Sequence, residues 1–220
     1  MARRVYRPTA RSSAFPPVIK NLLIINGLVF MAQLTMGGFL REFFALWPVG
    51  TPTEALSRFS GQFWPWQIVT YAFLHGGLGH LFFNMFMLWM FGIQIENEWG
   101  SRRFGVFYLL CVLGAGLTQL LVLWGRPTPT VGASGGVFGV MLAFGMMYPN
   151  RPIYIYFLFP IKAKWLIVGL IALELFAGFS GSQSGVANFA HLGGAAVGYL
   201  LIQYWRGKLP VKPDQRALRW

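Results

Sequence analysis

Apolar and polar positions alternate along this chain in long blocks. Six apolar runs stand out: Val18 to Met36, Leu78 to Ile95, Phe104 to Trp124, Ser134 to Tyr148, Lys164 to Phe179 and Ala187 to Trp205. About 18 or more consecutive apolar residues are enough for a helix to cross a hydrocarbon core roughly 30 Å thick. The runs predict six membrane-spanning helices, the fourth of them short. Charged or Pro-rich breaks separate them: Glu96 to Arg103, Arg126 to Thr130, Pro149 to Pro152, and a small-residue turn over Ser180–Gly185. Two stretches fit no span. Residues 37–66 are mixed and carry Trp47, Trp64 and Trp66, which suit a membrane interface. Ile153–Phe159 is apolar and β-prone. The predicted class is all-α: a polytopic six-helix membrane domain over 18–206, a basic lead over 1–17 and a basic tail over 207–220.

Composition agrees with this pattern. Hydrophobic residues make up 55% of the 220 and charged residues 11%, which excludes a soluble domain. The formal net charge of +12 raises nucleic acid as a partner, but the basic residues sit at the ends of apolar runs, as membrane anchors do. With six spans both termini share a side. Fifteen of the 18 Lys and Arg residues fall there, and only Arg41, Arg58 and Arg126 lie opposite. The bias places the termini in the cytoplasm and residues 37–66 and 125–131 outside. No small-residue cleavage site follows the first run, so it is expected to be a retained span. Cys111 stands alone in an apolar run and implies no disulfide.

A few polar residues sit inside the runs, and their depths coincide. Counted from the cytoplasmic ends at 1.5 Å per residue, Ser134 is about 21 Å up, His191 about 22 Å, and Asn84 and His80 about 18 and 24 Å. That level is roughly 10 Å below the outer surface. Polar groups so deep in a bilayer are expensive and face one another or a wet cavity. His80 and Asn84 are four apart and share a helix face. Each alone reads as an interhelical hydrogen bond, but convergence of four argues for a site. Gly194 and Gly198 form a small-residue stripe below His191, and Gly135 and Gly139 form another at the head of the fourth run, so two backbones can approach closely there.

The residue types point to acyl transfer. Ser134 lies in Gly132-Ala-Ser-Gly-Gly136, where glycines let backbone crowd a hydroxyl without Cβ clashes. The same pattern also suits a serine capping a Gly-rich helix, and no β-patterned strand precedes it as an α/β-hydrolase requires. A serine becomes a nucleophile when a base takes its proton, and His191 suits that task. The resulting oxyanion has potential donors in the Asn84 amide, the His80 ring and the Ser134 backbone N–H. Asp214 lies in the cytoplasmic tail. Glu174 is the one acid inside a run, and its depth does not exclude it as a third member.

Together these residues resemble the rhomboid intramembrane serine proteases. The resemblance rests on His75-Gly-Gly-Leu-Gly-His80-Leu-Phe-Phe-Asn84, Gly132-Ala-Ser134-Gly135 and Ala190-His191-Leu-Gly-Gly194, in that order, with Glu96 following Phe91-Gly92. It covers about residues 18–206. It implies a six-helix domain, a Ser134–His191 dyad without a third acid, oxyanion donors at His80 and Asn84, and no cofactor or metal. Glu174 is then expected to be dispensable. It also implies transmembrane proteins as substrates, cut in the bilayer, and a cell-membrane location of the bacterial inner-membrane type. Two departures stand out. Phe138 takes the place of a tyrosine that stacks under the histidine in some bacterial members, and a Trp-Arg pair often found in the first external loop is absent.

Other classes remain in view. An inactive rhomboid-like binding or trafficking factor would lack Ser134 or His191, and both are present. A small transporter calls for broken helices and paired repeats. A zinc protease calls for His-Glu-x-x-His, which His75 and His80 do not form.

Overall fold

A computed structural model describes residues 13–50, 61–155, 158–180, 187–211 and 218. Seven helices and one hairpin follow in order: α1 (Pro17–Phe44), α2 (Gln67–Thr70), a 3-10 turn (Tyr71–Phe73), α3 (Leu78–Trp99), α4 (Ser101–Val122), α5 (Ser134–Met147), β1 (Pro152–Ile155), β2 (Phe159–Lys162), α6 (Ala163–Phe179) and α7 (Asn188–Trp205). Arg3, Arg4, Arg7, Arg11, Arg58, Lys212, Arg216 and Arg219, and most of the turn after Phe179, lie outside the described residues.

The protein is an all-α integral membrane bundle. Helices α1, α3 and α4 are each long and apolar enough to cross a membrane, and α5 is a shorter apolar helix. Helix α7 packs between α4 and α5, and small residues set the spacing. A Cβ at Gly193 would overlap the Thr118 hydroxyl of α4, and one at Gly194 would overlap the Gly135 carbonyl of α5. Without water to drive association, such close backbone contact is what holds membrane helices together. Larger side chains, among them Phe91, Phe104, Phe107, Ile95 and Ile202, fill the wider gaps. Helices α1 and α6 are peripheral. Helix α6 buries only Ala163 and Ile167, near its start.

The first helix differs from the predicted span. It continues eight residues beyond Met36, to Phe44, across a break at Met36 (φ −119°, ψ 23°). Gly37 and Gly38 follow that break, and paired glycines are a usual site for a bend. Apolarity fades there while helicity continues. Helix α1 has no capping side chain of its own. Its free N–H groups are instead met from another helix: buried Glu96 of α3 accepts from Val18 N at 2.9 Å, from Ile19 N at 2.8 Å and from the Ser101 hydroxyl at 2.6 Å. A carboxylate also suits the positive end of a helix.

The segment after α1 is tied to the loop that carries the candidate nucleophile. Leu46 and Thr130 exchange backbone hydrogen bonds of 3.0 and 2.9 Å. The fully buried Gln67 accepts from Trp47 N at 3.2 Å and donates to Gln62 O at 3.0 Å. Trp64 and Trp66 stack on each other and stay half exposed, as interface tryptophans do. The β-prone stretch after α5 pairs as an antiparallel hairpin, Pro152 opposite Lys162. Pro149 and Pro152 end the helix, and Arg151 bonds the Gln94 side chain of α3.

Candidate active site

Ser134 is the first residue of α5, and the turn before it is unusual. Gly132 has φ +130°, a conformation that side chains rarely adopt, and its N–H donates to Tyr71 O at 2.9 Å. A Cβ there would also lie 2.8 Å from the His80 ring. Tyr71 is itself fixed: its buried hydroxyl donates to Val112 O of α4 at 2.8 Å. Ser134 Oγ is thereby held at a helix N-terminus, where the first backbone N–H groups have no partner within the helix.

His191 sits in the first turn of α7. Its Nε2 lies 2.6 Å from Ser134 Oγ, a short hydrogen bond. Phe138, one turn below Ser134, lies flat against the imidazole with centroids 4.5 Å apart and planes 5° apart. Gly194, one turn below His191, rests on the Gly135 carbonyl. Gly198 meets Gly139 one turn lower, where a Cβ would be 3.3 Å from the Gly139 Cα. The two glycine stripes thus pack on each other and bring serine and histidine together. On the other side of the ring, Glu174 Oε1 approaches Nδ1 to 3.0 Å. The dyad implied by the resemblance therefore has a carboxylate beside it in this structure.

His80 stands in the first turn of α3, at the same end of the bundle. Gly76 N–H donates to its Nδ1 at 3.1 Å. An N–H can be accepted only by an unprotonated ring nitrogen, so in the neutral ring the proton is on Nε2. That nitrogen lies beside the Gly132 turn that leads into Ser134. Asn84 is buried one turn below and turns its amide back to His80 O at 2.8 Å. Among the described residues it has no hydrogen bond with Ser134 or His191. His75 is buried beside His80, rings 5.1 Å apart, with its backbone held on both sides by the Gln33 amide at 2.9 and 3.0 Å. Among the described residues no three His, Cys, Asp or Glu side chains gather as a metal site would need.

The Rhomboid domain family model matches residues 61–207, well over half of the chain. The chain belongs to the rhomboid family. It is similar to RHOMBOID-like protein 4 of Arabidopsis thaliana, 40% identical over 139 residues that cover 62% of this chain and 33% of that one. It is also similar to the Rhomboid protease GluP of Bacillus subtilis, 35% identical over 138 residues, or 61% of this chain and 25% of that one. Rhomboid-like protein 11, chloroplastic, of Arabidopsis thaliana is 34% identical over 158 residues, or 62% and 51%. The matches thus span between a quarter and about half of these relatives' lengths. They come from a bacterium and from a plant, including an organellar protein.

Against this rhomboid background, two positions near the site, Tyr71 and Asn188, escape a reading of the sequence. Tyr71 lies in an aromatic stretch with nothing to mark it as the anchor of the serine loop. Asn188 precedes His191 by three residues, a spacing that puts both on one face of α7. Its partner Glu174 had only its depth to recommend it.

Proposed function

We propose that this rhomboid is a serine endopeptidase that cleaves transmembrane segments of other membrane proteins. The observation that carries the reading is the 2.6 Å contact between Ser134 Oγ and His191 Nε2, at the buried end of a membrane bundle. In this mechanism His191 takes the hydroxyl proton on Nε2 as Oγ attacks the scissile carbonyl carbon. The oxyanion receives hydrogen bonds from His80 Nε2–H and the Ser134 backbone N–H, with the free Asn84 N–H as a third donor. The imidazolium then protonates the leaving amine, and water hydrolyses the acyl-enzyme by the reverse proton path. General base catalysis supplies about 10²–10⁴ in rate, and a single oxyanion donor about 10²–10³. No cofactor is required.

The charge bias supports cytoplasmic termini and a site opening to the external side of the membrane. A substrate helix would unwind at small residues just below that surface, since a protease needs an extended backbone. The direct test is a fluorophosphonate probe applied to the protein in lipid, with Ser134→Ala as control. Labelling that disappears in the variant supports the reading. A folded, unlabelled wild type would instead favour a binding or trafficking role.

A further inference from the structure

The base has an acid on its far side, and the acid has its own partner. Glu174 comes from α6, and its Oε2 accepts from Asn188 Nδ2 at 2.6 Å while its Oε1 faces His191 Nδ1 at 3.0 Å. A line of polar contacts therefore runs from Ser134 through His191 and Glu174 to Asn188, drawn from α5, α6 and α7. Around Glu174 the helix is apolar and outward-facing: Leu173, Leu175 and Phe176 are all exposed on the bundle surface. Packing gives no reason for an acid there, and an intramembrane carboxylate without a role is costly. The Glu174 side chain is nonetheless only 14% exposed, and that of His191 9%. Its approach lies off the Nδ1–H axis, as catalytic contacts often do before substrate tightens them.

We propose that Glu174, held by Asn188, is a positioning residue that keeps the His191 proton on Nδ1. The proposal rests on the protease reading and reverses the expectation that Glu174 is dispensable. A carboxylate only accepts, so it selects the tautomer in which Nε2 is free to take the Ser134 proton. As Oγ bonds to the carbonyl carbon, the O–H bond breaks and its proton moves to Nε2. His191 becomes a cation, Glu174 remains an anion, and no proton passes to the acid.

The chemistry gives a ranking that packing alone would not. Glutamine has the shape of Glu174 and keeps its contacts, but its amide can donate to Nδ1 and trap the proton on Nε2. Alanine leaves room for water to accept instead. We therefore expect Glu174→Gln to lose on the order of 10²–10⁴ in kcat, at least as much as Glu174→Ala, with KM little changed. Glu174→Asp should recover part of the loss. The measurements are kcat, KM and fluorophosphonate labelling rate in lipid, with thermal unfolding alongside. A structural role reverses the order, with Gln near wild type and Ala worse, and that result overturns the proposal. If Gln does not fold, Asn188→Ala decides: a lower kcat at unchanged KM supports the proposal, and unchanged kcat overturns it. A wild type that neither cleaves nor labels removes the protease reading itself. A labelled, active Glu174→Gln removes only this proposal.

Discussion

The Phe138 ring lies nearly parallel to the His191 imidazole, planes 5° apart and centroids 4.5 Å apart. The contact holds the base from one face without touching its nitrogens. Stacked aromatic pairs are worth about 0.5–1.5 kcal/mol, which corresponds to roughly twofold to thirteenfold in rate if fully expressed in positioning. Phe138→Leu should therefore lower kcat by about that factor, and Phe138→Tyr should stay near wild type. Steady-state cleavage of a transmembrane substrate in lipid measures both. Full activity in the leucine variant would show that the stacking does not position the base.

The serine and the histidine should fail as a unit. Ser134→Ala and His191→Ala are each expected to abolish peptide-bond cleavage in a folded protein, and the double variant should be no worse than either single. Losses that multiply in the double variant would mean that the two residues act separately.

His80 and Asn84 should differ. The His80 Nε2 lies beside the Gly132 turn, whereas the Asn84 amide already donates to His80 O. His80→Ala is expected to lower kcat by about 10²–10³ with little effect on KM. Asn84→Ala should be milder. A pure KM defect in either variant would assign that residue to substrate binding alone.

The glycine contact between α5 and α7 should tolerate nothing larger. An alanine at Gly194 meets the Gly135 carbonyl, which is backbone and cannot swing aside. Overpacking of this kind costs about 1–3 kcal/mol and would also part Ser134 from His191. At Gly198 the nearest neighbours would stand 3.1–3.3 Å from a new methyl, so Gly198→Ala should cost less. Unfolding in detergent, read beside cleavage, ranks the two. Equal stability and activity for Gly194→Ala would refute the close contact.

Much of the bundle is legible in the chain because membrane spans are written in composition. The ends of the second to sixth predicted runs fall within about four residues of α3 to α7, as expected for boundaries read from sequence. Ser134, His191 and His80 are visible because polar groups stand out in apolar runs. What is not legible depends on contacts distant in sequence. The last turns of α1 are helical without being uniformly apolar. Ile153–Phe159 has β-forming residues, but the hairpin also needs partners at Phe159–Lys162. The depth of Glu174 is readable, whereas the side of α6 it occupies is decided by how α6 packs on α7.

The anchoring of α1 by Glu96 has a consequence for how the protein is made. Translation releases α1 before α3, and the acceptor for the leading amides of α1 lies 77 and 78 positions later in the chain. Until Glu96 reaches the bilayer, the opening turn of α1 has no acceptor from that carboxylate. The start of α1 is therefore completed only when α3 is beside it, and the two helices depend on each other before α5, α6 and α7 follow in the chain.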